Sequence, residues 1–215
     1  MTRAVACLVT ALALVACQGP QAATQPKAPT PQSVMLQPAD VPGMQKCPTS
    51  GDVNTVLQDE KSEGSLAYQM NATEWQQWKR QGAVDAYFAV YGDTAADCAA
   101  VSSAGTGAPR GGLMVGLVVK FQSATVAYRN YRRDSTLMGM GPQDIRFIEL
   151  AGGTTTFGTA TGLGPVSVVG SGLVAGTKYF VAEWQNKSFE SDFIGYDVAE
   201  SDANKAVKSM NRRIS

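Results

Sequence analysis

The stretch Lys178-Tyr-Phe-Val-Ala-Glu-Trp184, followed by Gln185-Asn-Lys-Ser188 and then Phe189-Glu-Ser-Asp-Phe-Ile-Gly-Tyr-Asp-Val198, decides the fold. Two runs rich in aromatic and β-branched residues flank a short polar segment, the pattern of two strands joined by a hairpin-type connection. Beyond them Ser201 is placed to cap a helix in which Ala203, Ala206, Val207, Met210 and Ile214 recur at helical spacing. The unit reads strand, strand, helix.

The same order appears upstream. Ala83 to Tyr91 sets Val84, Ala86, Phe88 and Val90 against Asp85, Tyr87 and Tyr91, and Leu113 to Phe121 is a near-continuous apolar run, as expected of a central strand buried on both sides. Ser123 then caps a helix to about Ser135, with Ala124, Ala127, Tyr128 and Tyr131 on its inward stripe. Ahead of this unit, Trp75 and Trp78 share one face of a short helix stopped by Gly82. Between the halves, Gly152 to Gly176 suggests a short strand near Val166 to Val169 and mobile turns. Two β-β-α halves predict an α+β, two-layer domain: a mainly antiparallel sheet with helices on one face.

The first residues define an address. Arg3 precedes an unbroken run of apolar and small residues from Ala4 to Ala16, too short for a membrane-spanning helix and the right length for a signal peptide. Leu14-Val-Ala-Cys17 resembles the bacterial lipobox, in which the signal is cut before a cysteine that carries diacylglycerol. This reading makes residues 1–16 a signal peptide and Cys17 the lipid attachment site. It holds the protein on the extracytoplasmic face of a cell membrane, firmly, because each buried methylene adds about 0.8 kcal/mol. Residues 17–33, rich in Gln, Pro, Ala and Thr, form a tether reaching roughly 20 to 50 Å. Residues 34–215 then form one domain.

Cysteine usage agrees with export. Of the four cysteines, Cys7 leaves with the signal and Cys17 is acylated, so Cys47 and Cys98 are the pair expected to form a disulfide. A redox-active thiol would favour C-x-x-C spacing, which is absent.

Composition narrows the chemistry. The 215 residues contain no histidine, which removes Ser-His-Asp and Cys-His relays and the H-E-x-x-H zinc site. With 18 basic and 18 acidic residues, general nucleic-acid binding is not expected either. No metal site, cofactor or catalytic residue is assigned. Gly170-Ser-Gly-Leu-Val-Ala175 matches G-x-G-x-x-A by letters, but no helix follows to hold phosphate on its N-terminal amides, so the segment reads as a flexible turn. Glu183, Glu190 and Asp192 keep a carboxylate-dependent envelope hydrolase open as an alternative, although they read more simply as solvated strand residues.

Two surfaces are candidates for binding. Tyr87, Tyr91, Tyr196 and Trp184 would line an apolar groove if the strands bring them together. Arg129, Arg132 and Arg133 on one helix and Lys205, Lys208 and Arg212 on the last would make one basic patch if both helices cover the same sheet face. The partner classes expected are the membrane through its anchor, a small apolar ligand, an envelope polymer or an envelope protein.

Gly162-Leu-Gly-Pro165, Tyr179-Phe-Val-Ala-Glu-Trp184, Phe193-Ile-Gly-Tyr-Asp-Val198 and Ala206-Val-Lys-Ser-Met-Asn-Arg-Arg-Ile214 together resemble the strand-strand-helix ending of extracytoplasmic sensor-like domains. These occur in actinobacterial lipoproteins and on the outer side of serine/threonine kinases of the mycobacterial PknH type; the extra cysteines of the kinase domains are missing here. PsbP-like lipoproteins share a similar plan. The resemblance implies a lipid-anchored sensing or binding module. It supplies no catalytic residue. A structural envelope protein docking through its basic helices is the remaining alternative.

Overall fold

The computed structural model describes residues 28–100, 110–133 and 135–214. Cys17, the expected signal peptide and most of the expected tether lie outside them. Eight strands form one antiparallel sheet: β1 (Gln45–Lys46), β2 (Gly51–Asp52), β3 (Ala83–Gly92), β4 (Leu113–Phe121), β5 (Thr154–Phe157), β6 (Ser167–Val174), β7 (Thr177–Asn186) and β8 (Phe189–Tyr196). Their order is β1-β3-β4-β8-β7-β6-β5, and β2 also pairs with β3. The helices are α1 (Pro31–Val34), α2 (Val53–Ser62), α3 (Tyr68–Arg80), α4 (Ala95–Ala100), α5 (Ala124–Tyr131), α6 (Gln143–Leu150) and α7 (Glu200–Ile214). The protein is an α+β domain. None of these helices is long and apolar enough to cross a membrane.

β4 is central because its sequence tolerates burial everywhere. Leu117, Val118 and Val119 are all fully buried, on alternating sides of the sheet, each burial contributing roughly 1.5 to 3 kcal/mol. β8 continues beside it, with Val115 opposite Ile194 and Leu117 opposite Asp192. The β7–β8 turn uses Lys187 at φ +50°, and the β6–β7 turn places Ala175 and Gly176 at φ +49° and +85°. Positive φ at both central residues is the hairpin geometry that matches strand twist. The Gly170–Ala175 segment is therefore strand and hairpin rather than flexible turn, and its glycines do not open a helix.

The helices cover both faces of the sheet, which corrects the expected single helical layer. On the first face, α7 and α1 bury Met114, Val118, Phe180, Trp184 and Phe193. On the second, α2, α3 and α5 bury Leu117, Val119 and Phe121, while Ile145 and Ile148 of α6 pack on Val168 and Val181. Both β-β-α halves exist, but α5 and α7 close on opposite sides. The apolar alternation of β4 and β8 serves two cores at once, so neither face is left for solvent.

Local readings shift in smaller ways. α7 buries Ala203, Ala206, Val207, Met210 and Ile214, the residues its spacing selects. α3 starts earlier than the tryptophans suggest, and both indoles are core: Trp75 donates to Asn54 Oδ1 at 2.9 Å and Trp78 to the Thr136 carbonyl at 2.9 Å. A bulge between Ala83 and Asp85 turns Val84 outward, leaving it 52% exposed. Tyr128 also faces out, and Asn130 takes the inward position expected of it. At the amino end the folded part begins before Val34, since Thr30 and Ser33 already form a capping box around α1.

Candidate functional site

A cleft of about 950 Å³ opens beside the sheet edge. β1 supplies Lys46, α2 supplies Val56, Asp59 and Glu60, the α2–α3 connection supplies Glu63 and Leu66, and α4 supplies Ala95, with Phe88 of β3 and Met138 behind. The residues face this space for local reasons. Val56 belongs to the narrow apolar stripe of α2, whereas Asp59 lies on its outer side. Phe88 projects from β3 on the second face, where α2 leaves part of its ring uncovered.

The Cys47–Cys98 disulfide forms one wall of the cleft, through Cys98. It joins the end of β1 to α4 across 51 residues, with both cysteines buried. The neighbouring loop is tied by Asp97, whose carboxylate accepts from Thr94 Oγ1 at 2.5 Å and from the amides of Arg110 and Gly111 at 3.0 and 2.9 Å. Those bonds, Thr94 first, hold the Asp97 carboxyl below the usual carboxylate range.

Chemically the cleft pairs an apolar back with an acidic rim. Leu66, 98% exposed, stands at the mouth among Asp59, Glu60 and Glu63, and Lys46 is the one cation among the described lining residues. Buried Asn71 donates to both Glu60 oxygens at 2.8 and 3.1 Å. Burial nonetheless raises the Glu60 carboxyl, Asn71 opposing and Glu63 adding to the rise. This surface suits an apolar molecule with a cationic or hydrogen-bond-donating end.

None of the four aromatics expected in a groove lines this cleft; three of them meet in the first-face core instead, and Tyr196 lies on the other face. Tyr91 and Trp184 are buried on the first face, Tyr91 donating to the Leu36 carbonyl at 3.2 Å. Tyr87 also packs against the first-face core and accepts from Lys46 Nζ at 2.7 Å. Tyr196 lies on the second face, stacked edge-on against Tyr179 with centroids 5.1 Å apart. Equal spacing along separate strands does not give equal facing once register is set.

The carboxylates are also placed differently from the solvated edge expected. Glu183, Glu190 and Asp192 are 5 to 6% exposed in the middle of the sheet, with Glu183 directly opposite Asp192 across β7 and β8. Asn130 Nδ2 of α5 donates to Glu190 Oε2 at 3.1 Å. Burial raises the Glu190 carboxyl well above its ordinary range, with the charge of Asp192 adding to it. Burial, then Asp144 of α6, pushes Asp192 up to about 7. Tyr131 of α5 is raised as well, by burial and then by the three carboxylates. The group sits apart from the cleft, and among the described residues no set of acids or cysteines has metal-holding geometry.

The basic patch is divided. Arg129, Arg132 and Arg133 belong to the second face and Lys205, Lys208 and Arg212 to the first, since α5 and α7 lie on opposite sides of the sheet. A different cationic surface exists instead. Lys79 and Arg80, at the end of α3, meet Arg129 and Arg133 around a polar hollow of about 300 Å³.

The chain matches no protein-family model and no curated protein. Its chemistry is therefore read from its own residues.

Proposed function

We propose that this protein is a lipid-anchored, extracytoplasmic binding or sensor-like module, held by Cys17, whose ligand occupies the cleft between β1, α2, α4 and the α2–α3 connection. The single observation behind the binding reading is that cleft: about 950 Å³, within the size range of small-molecule sites, with Val56, Phe88 and Met138 at the back and acids at the rim. The lipobox-like Leu14–Cys17, the resemblance of the C-terminal third to sensor-like domains, and a disulfide compatible with an oxidising compartment support the address. The hydrolase alternative loses ground because Glu183, Glu190 and Asp192 are buried away from the cleft, where a substrate has no approach among the described residues.

Two measurements test this reading. Native mass spectrometry of the protein purified from its own envelope should reveal a retained apolar molecule, and Ala95→Trp, which narrows the cleft, should abolish retention without altering the circular dichroism spectrum. No retained species in the wild type would remove the binding reading. Labelled palmitate should enter the wild-type protein and not Cys17→Ser; equal labelling of both would remove the anchor.

A further inference from the structure

We propose that the hollow between the end of α3 and α5 is a docking surface for anionic phospholipid headgroups, seated on the same bilayer that holds Cys17. This inference rests on the lipid-anchored reading and adds a contact made by the folded domain itself.

Lys79, Arg80, Arg129 and Arg133 surround the hollow, all are exposed, and no acidic residue lies among its described lining. Lys79 rests over the Trp75 ring at 5.6 Å, whereas Arg80, Arg129 and Arg133 make no ion pair among the described residues. In a chain with 18 positive and 18 negative side chains, such a concentration of unpaired cations is local rather than a by-product of net charge. Cations in the last turn of a helix do favour its macrodipole, and that accounts for Lys79, Arg80 and Arg129 one at a time. It does not account for the end of α3 and one side of α5 facing each other across one polar space, with Arg133 added beyond α5.

Gly82 and Gln122 line the hollow and close the end of the β3–β4 pair, where the Gln122 amide donates to the Gly82 carbonyl at 3.0 Å. The amino-terminal segment is fixed at that same end, since Lys120 Nζ donates to the Pro29 carbonyl at 3.2 Å. A chain from Cys17 to Pro29 spans at most about 40 Å even if fully extended. A domain of this length is itself about 40 Å across. An acylated Cys17 therefore keeps this end of the sheet, and the hollow with it, within about 40 Å of the headgroups. Anionic headgroups within a Debye length attract each such cation, strengthening binding about fivefold per charge.

The test uses the mature chain carrying Cys17→Ser, so that no acyl chain contributes, and measures sedimentation with vesicles. Vesicles mixing phosphatidylglycerol with phosphatidylcholine should bind it, pure phosphatidylcholine should not, and high salt should release it. The triple variant Arg80→Gln, Arg129→Gln, Arg133→Gln should bind on the order of a hundredfold more weakly. The triple variant Lys205→Gln, Lys208→Gln, Arg212→Gln, on the opposite face, should bind like the parent. All six side chains are surface groups outside the cores, and unchanged melting temperatures confirm that both variants fold; if the first triple melts early, Arg129→Glu alone replaces it and should weaken binding at least fivefold. Equal binding to both vesicle types, or equal loss in both triples, overturns the docking surface. Palmitate labelling of the wild type separates the two ideas: label without vesicle binding sinks only the docking surface, and vesicle binding without label sinks only the anchor.

Discussion

Arg213 grips Asp40 through paired hydrogen bonds of 2.6 and 3.1 Å, joining residues 173 positions apart. The same guanidinium donates to the carbonyls of Val34 and Met35 at 3.1 and 2.9 Å. One side chain thus satisfies the segment after α1 and neutralises an aspartate whose side chain is only 7% exposed. Arg213→Ala should lower unfolding stability by about 2 to 4 kcal/mol, because Asp40 loses its counter-ion, keeping only the Gln37 amide, and the Val34 carbonyl loses its side-chain donor. Arg213→Lys should recover only part of that, since an ammonium does not reproduce the fork. Urea denaturation measures both; a change within 0.5 kcal/mol, the ordinary surface range, would show the pair to be unimportant.

The buried acids predict an unusual pH dependence. Asp192 is raised to about 7 and Glu190 also rises, so the folded state holds protons that the unfolded chain releases near pH 4. Their stabilising contribution is complete below that pH, declines as pH rises through the folded values, and levels off above them. The groups facing them are Glu183 on β7, Asn130 and Tyr131 on α5 and Asp144 on α6, with Arg132 just past α5 beside Tyr131. Asp192→Asn should raise stability at pH 8 by an amount on the order of a few kcal/mol and flatten the decline between pH 4 and 8. Thermal melts across that range check it, and an unchanged slope in the variant refutes it.

Reduction of Cys47–Cys98 should destabilise the domain by roughly 4 kcal/mol, the chain-entropy value for a loop of 51 residues. Because Cys98 lines the cleft, any ligand held there should also bind more weakly to Cys47→Ala/Cys98→Ala at temperatures where that variant is still folded. Intact mass with and without reduction before alkylation checks the bond in freshly purified protein, and denaturation gives the cost.

α6 ends in a Schellman motif: the Gly153 amide donates to Ile148 and the Gly152 amide to Glu149, at 2.9 and 3.0 Å, with Gly152 at φ +79°. A methyl on Gly153 would lie 2.6 Å from both the Ser171 carbonyl oxygen and Ile148 Cγ2. Gly152→Ala should cost about 1 kcal/mol through left-handed strain. Gly153→Ala should cost more, about 1 to 3 kcal/mol, because a backbone atom has to move. The order of the two melting temperatures is the test.

The parts of the fold legible in the sequence are those with one strong period. α7, the β7–β8 hairpin and the central β4 announce themselves, and the disulfide follows once Cys7 and Cys17 are set aside. What misleads is the assumption that a strand's polar alternate side meets water. On β8, Phe189 and Phe193 fill one core while Glu190, Asp192 and Ile194 lie under the helices of the other. Alternation alone cannot separate an acid facing solvent from one beneath α5, and the same ambiguity hides that α5 and α7 diverge. α2 gave little signal, with Val53, Val56 and Leu57 its buried residues. The cleft was out of reach for a further reason: Lys46, Val56, Leu66, Phe88, Ala95 and Met138 come from distant segments that meet only after folding.

The contact of α1 with α7 sets an order of events during biosynthesis. Synthesis proceeds from the amino end, so Val34, Met35 and Leu36 exist long before Ala203 to Ile214, which complete their packing. Until those last residues emerge, one side of the sheet lacks its cover and Asp40 lacks Arg213. Before α7 has emerged and packed, the first core stays open, a ready target for chaperones and proteases.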